Sequence, residues 1–263
     1  VLPPAKPVSF TRVIGCSAAV GFAANWRQKR PEVFIRRLRA LTDPRSNSNR
    51  ETAMRLHSIR YALMILVALI GAARAEESVS FVAYGDMPYG EETLEAYRAL
   101  LKEIAAQGTG LAIHVGDIKS SKADCTDTLL DARLAEMKAM AGALVYTPGD
   151  NEWTDCHRGE DPRFSDPEER LARVRALGFP AAESLGAAPL ALIRQADEGP
   201  RYAAYVENAR WRLGSVQFGT VHVVGSNNNR DDAAEFSARE GAGIAWIGEI
   251  FQAADRVDAQ AVV

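Results

Sequence analysis

Cysteine, histidine and long apolar runs are all scarce in this sequence, and each scarcity closes off a class of protein. Only three cysteines and four histidines occur in 263 residues. No CxxC pair is present and each cysteine stands alone, which argues against a thiolate metal site. The apolar run from Tyr61 to Ala73 has 13 residues, whereas a helix needs about 20 to cross a bilayer. Signature loops are missing too. There is no GxGxxG, no Walker loop and no GxSxG, and the nearest approach to the last, Ala182 to Gly186, follows a helical segment rather than a strand. With 47% hydrophobic and 25% charged residues, the composition is that of an ordinary globular protein and excludes wholesale disorder, collagen and multispan membrane architectures.

Charge is unevenly distributed. Residues 1–75 carry 13 Lys and Arg against 3 Asp and Glu, while residues 76–263 carry 18 against 31. A body of that sign repels nucleic acid and anionic lipid, so neither is expected as a partner. The first methionine is Met54. Arg55 and Arg60 precede the apolar run, and Ala73 and Ala75 supply the small residues of a cleavage site, so residues 54–75 read as a secretory signal. Residues 1–53 mix Arg and Pro without periodicity and read as an upstream extension outside the fold. The expected mature protein starts at Glu76, is exported to the periplasm or the extracellular space, and keeps no membrane anchor after cleavage. In that oxidising setting Cys125 and Cys156 form an even pair.

Three apolar runs close on the same dipeptide, FVAYGD at Asp86, AIHVGD at Asp117 and VYTPGD at Asp150. Leu94, Tyr97, Leu100, Leu101 and Ile104 recur at helical spacing between the first two. Leu130, Leu134, Met137 and Met140 do the same between the second and third. Strand, helix, strand, helix, strand at spacings of 31 and 33 residues predicts parallel crossovers and an α/β fold. Right-handed crossovers bring all three aspartates to one edge of the sheet. Carboxylates gathered there repel one another unless a cation sits among them, so a metal site is the expectation.

Beyond Asp150, residues 155–200 form a long excursion with its own helix. Asp166 is its N-cap, Pro167 its first residue and Glu169 the partner in a capping box. It is expected to fold over the site edge as a lid or insertion. Residues 201–226 read as successive antiparallel strands ending in VHVVGS, residues 243–257 as a last helix, and Ala259 onward as a further strand. His114, His157 and His222 are expected to be packed or solvated rather than ligating. Asn227 and Asn228, at the end of the VHVVGS run, are candidate neutral ligands.

Asp86, the VGD at Asp117 and the PGDNE at residues 148–152 resemble the first three motifs of the calcineurin-like metallophosphoesterases, and the resemblance covers residues 79–263. It implies a layered β-sandwich flanked by helices, cut short at its C-terminus because the family continues past the strand that starts at Ala259. It also implies two divalent ions clamping a small phosphoester and activating a water for in-line attack. Carried over, Asp86 holds the first ion, Asp117 bridges both, and Asp150 ligates the second. In an alternative register Asn151 is the ligand, with Asp150 behind it and Glu152 orienting the loop. Pro88 replaces one family histidine. Asn151 replaces the other, the proton donor, so it is the candidate catalytic position although an amide cannot transfer that proton. Oxygen-only ligation favours Mn or Mg, whereas the family's usage implies Fe, Zn or Mn. The expected function is a secreted metal-dependent phosphoesterase. The alternative is a non-catalytic protein of the same fold that binds metal or a phosphate ligand.

The cysteines extend the same geometry. Cys125 lies eight residues past Asp117 and Cys156 six past Asp150, so both leave one edge of neighbouring strands and a disulfide between them is predicted.

Overall fold

The computed structural model describes residues 78–263. The upstream extension, the signal-like segment and the expected start at Glu76 fall outside the described residues. Among the described residues, no helix is long and apolar enough to cross a membrane.

Strands β1 (Val82–Tyr84), β2 (Leu111–His114) and β3 (Ala143–Tyr146) pair side by side and in parallel, as the crossover spacing predicts. Helix α1 (Glu91–Gln107) makes the first crossover and α2 (Asp127–Lys138) the second. The Thr126 side chain caps α2 by accepting from the Leu129 N–H. Side chains alternate across this sheet. Val82, Tyr84, Ala112, Leu144 and Tyr146 face Tyr97 and Ile104 of α1 and Leu130, Leu134 and Met137 of α2. On the other face Leu111, Ile113, Ala143 and Val145 form a second core with Trp211, Val216 and Phe218.

Those last three residues belong to a second sheet, in the order β4 (Ile193–Arg194), β5 (Ala209–Leu213), β6 (Val216–Gly219) and β7 (Ala261–Val262). Its first three strands are antiparallel, and β7 joins β6 in parallel. The rings of Trp211 and Phe218 stack at 5.2 Å, and Phe81 meets Phe218 edge-on at 5.3 Å, which couples the two sheets. The fold is therefore mixed α/β.

Three expectations need correction. Residues 220–224 form no strand, because side chains take the bonds a ladder would use: Thr220 Oγ1 accepts from Ala209 N, and His222 N donates to Asn208 Oδ1 at 2.7 Å. The chain then enters the short helix α4 (Gly225–Asn229), in which Asn227, Asn228 and Asn229 all have positive φ. Next, the excursion's helix, α3 (Pro167–Gly178), is a packed insertion and not a lid. Its Val174 is fully buried in the helix-side core and its Leu171 packs on Trp153. Asp166 caps it by accepting from the Glu168 and Glu169 N–H groups, but the Glu169 carboxylate pairs with Arg170 instead of completing the box. Finally, the last helix, α5 (Ala233–Arg256), begins ten residues early. Asp232 caps it through Glu235 N, and Gly241 and Gly243 had hidden its first half.

Candidate functional site

Each of the three Gly-Asp turns is shaped by its neighbour. A β-carbon on Gly85 would lie 2.6 Å from Val115 Cγ2, one on Gly116 would lie 2.7 Å from the Pro148 carbonyl carbon, and one on Gly149 would lie 2.6 Å from Asp117 N. Real side chains do not fit at such distances, so the glycines let successive strand ends nest against one another. Asp86 and Asp117 follow with φ of 58° and 60°. This left-handed region is one that Asp and Asn tolerate better than other side chains.

The nesting brings the aspartates together. Tyr89, three residues beyond Asp86, places its hydroxyl 2.9 Å from Asp86 Oδ1 and 3.2 Å from Asp117 Oδ2. Asn151 Nδ2 donates to the same hydroxyl at 3.3 Å. One oxygen atom is thus the meeting point of all three strand ends. Asp150 adjoins Asp117 and shares a hydrogen bond with it, and a β-carbon on Gly225 would lie 3.0 Å from the Asp150 carboxyl carbon.

Behind this front row, Glu152 is fully buried and serves as a clamp. Its Oε2 accepts from Asp117 N at 3.1 Å, and its Oε1 accepts from Gly149 N at 2.8 Å and Tyr146 Oη at 2.6 Å. These bonds join the backbone of the second Gly-Asp turn to that of the third. Asp117 in turn accepts from Asn151 N through Oδ1 at 3.1 Å. Lys119, almost wholly buried, donates to the carbonyls of Ser120 and Ala123. Its own carbonyl accepts from Asn151 Nδ2 at 3.0 Å, which fixes the amide so that nitrogen, not oxygen, faces Tyr89.

The charges are crowded. Burial, then the charges of Glu152 and Asp150, push the Asp117 carboxyl up to about 7 against the pull of the Asn151 N–H. Burial also raises Glu152, in spite of its hydrogen bonds, and lowers Lys119, in spite of the carboxylates around it. Burial and the two aspartates keep the Tyr89 phenol protonated well beyond its usual range.

Cys125 and Cys156 stand at disulfide distance, with Cα atoms 5.6 Å apart, and tie the loop after Asp117 to the loop after Asp150. Arg170 braces the same place by donating to Cys125 O and pairing with Asp127 at 2.8 Å. Trp153 is fully buried, with the Arg239 guanidinium 5.6 Å from its ring.

The histidines are engaged elsewhere. Buried His114 accepts from Gly116 N through Nδ1, and burial lowers its pKa to about 3, so it stays neutral. His157 Nδ1 lies 2.6 Å from Thr154 O, and His222 Nδ1 lies 2.8 Å from Glu207. Asn228 Oδ1 accepts from Val224 N and from Arg239, so it braces α4 against α5. Asn227 is exposed on the same turn.

Among the described residues, no group of three or more His, Cys, Asp or Glu is arranged to hold a metal ion. What the strand ends present is two carboxylates and an amide N–H around the Tyr89 hydroxyl. Sequence patterning missed Tyr89 and Lys119, since neither falls on a periodic face. It also missed the buried pair of Glu207 and His222. Comparison of the chain with family models, with curated proteins and with solved structures finds no match.

Proposed function

We propose that this is an exported, divalent-cation-dependent phosphoesterase of the calcineurin-like type, acting on a phosphate mono- or diester at the edge formed by Asp86, Asp117, Asp150 and Asn151. The observation that carries the reading is the convergence of Asp86 Oδ1, Asp117 Oδ2 and Asn151 Nδ2 on one point, 2.9 to 3.3 Å from the Tyr89 oxygen. Two carboxylate oxygens suit a hard cation such as Mn or Mg, and an amide N–H facing the same point suits an anionic oxygen held beside that cation. Two carboxylates are fewer donors than a protein-built metal site supplies, so water would complete the shell of an ion held there, and Asp117 would be shared between this ion and a second one beside Asp150. When bound, such ions supply charge neutralisation of the phosphoryl group and an acidified water.

The chain's own residues have separable tasks. Asp117 holds its place through Glu152 and the Asn151 N–H. The Lys119 carbonyl keeps the Asn151 amide nitrogen forward, so Asn151 serves as a hydrogen-bond donor to a substrate oxygen, which favours Asp150 over Asn151 as the ligand. The face-to-face sheets with helices against the parallel one support the layered metallophosphoesterase reading of the fold. The Cys125–Cys156 pair supports an oxidising location.

One observation favours the non-catalytic alternative. His114, His157 and His222 each bond to groups other than these aspartates, which leaves no imidazole among the described residues placed to protonate a leaving group. An aryl phosphate assay with added Mn or Mg, run beside calorimetric titration of the same ions, decides between the readings. Turnover supports the enzyme, binding without turnover supports the alternative, and the absence of both refutes the cation site.

A further inference from the structure

The position of Tyr89 has a consequence for how that site is filled. Its hydroxyl takes up Asp86 Oδ1 and Asp117 Oδ2, the oxygens that the first two strand ends turn toward each other. A cation coordinated by both must displace it, because a ligating oxygen lies about 2.0 to 2.6 Å from such an ion and the space between the two carboxylates already contains the phenol oxygen. The ring is able to leave. Tyr89 is 39% exposed, and its backbone is anchored separately through the N–H to Thr93 Oγ1 at 3.0 Å, so rotation of the side chain does not require the turn to open. With Asn151 donating to the hydroxyl, the hydroxyl donates onward to a carboxylate, and three strand ends are held in register without an ion.

We propose that the Tyr89 side chain is an intramolecular occupant of the cation position, exchanging with a divalent ion for Asp86 and Asp117 and so setting the affinity of the site. The inference rests on the cation-dependent reading above. Removal of the hydroxyl removes the competitor while leaving both carboxylates in place. Tyr89→Phe is therefore expected to bind Mn about tenfold or more tightly than the natural chain, since the hydroxyl's bonds to charged groups no longer have to be broken first.

The test is calorimetric titration of the full chain with Mn chloride, compared with Tyr89→Phe and with Asp86→Asn, whose left-handed backbone Asn also tolerates. Circular dichroism establishes that all three are folded, and tyrosine difference absorbance is followed during titration. Tighter binding by Tyr89→Phe, weaker binding by Asp86→Asn, and a tyrosine signal on Mn addition that Tyr89→Phe lacks would bear the proposal out. Equal or weaker binding by Tyr89→Phe, at a site still weakened by Asp86→Asn, overturns the role of Tyr89 and leaves the cation site standing. Absence of Mn binding by both the natural chain and Tyr89→Phe overturns both.

Discussion

Asp117 bears more of the site than any other side chain. Its Oδ1 holds the Asn151 N–H, its Oδ2 meets Tyr89, its carboxyl adjoins Asp150, and its own N–H is gripped by Glu152. Asp86 has a lesser part: its side chain meets the Tyr89 hydroxyl, and its N–H donates to Gly116 O at 3.1 Å. Both residues lie in the left-handed region, where Asn is equally at ease, so Asp→Asn at either position changes charge with little backbone cost. Asp117→Asn is expected to lower Mn affinity by about 10- to 100-fold and Asp86→Asn by less, as read by calorimetry. A larger loss at Asp86 than at Asp117 would contradict the proposal that Asp117 is shared between two ion positions.

Among the elements, the loops that follow the strands depend on what pins them. The Cys125–Cys156 pair closes a separation of 31 residues, and chain-entropy arguments assign such a closure about 3 to 4 kcal/mol. Replacing both cysteines with serine should lower the urea midpoint accordingly, and mass spectrometry of the protein purified from an oxidising compartment should find no free thiol at either position. Helix α3 is held by its own cap and by Arg170, which reaches Cys125 O and Asp127. Asp166→Ala removes the acceptor for two N–H groups and should cost about 1 kcal/mol. Because α3 packs Leu171 against Trp153, that loss is expected to appear in thermal unfolding and also as faster hydrogen exchange in the loop after Asp150.

At the scale of the whole molecule, Glu207 joins the two halves of the fold. It lies buried just before β5, accepts a fork from Arg175 of α3 at 2.6 and 3.0 Å, and meets His222 at 2.8 Å. Burial by itself would raise its carboxyl, but the His222 and Arg175 bonds prevail and hold it at about 2, against an ordinary 4.5. A depressed carboxyl stabilises the fold above its unfolded value, and the benefit drains away as pH falls from about 4.5 to 2. The shift corresponds to about 3 kcal/mol. Acid titration of the unfolding free energy should show that decline. Glu207→Gln should flatten it, with lower stability at pH 7 because Arg175 and His222 lose their partner.

The strands, the crossover helices and the meeting of Asp86, Asp117 and Asp150 at one edge were legible in the residue pattern. Periodicity records which face of an element is buried, and parallel crossovers leave one place for strand ends to go. The Cys125–Cys156 pairing followed from the same geometry. Which way a hydrogen-bonding group points is a different kind of fact, because its partner is distant in the chain. Lys119 O turns the Asn151 amide, Tyr89 comes to rest between two aspartates, and Asn208 takes the His222 N–H, so that VHVVGS, strand-like in composition, has no ladder to join. The same holds for burial of charge. Glu207 and Arg239 carry no signal in the linear pattern, and tertiary partners alone make their burial tolerable. Local sequence thus specified the three parallel strands, their crossover helices and where the strand ends meet, while the occupant of that meeting point was decided by contacts between residues 28 to 62 positions apart.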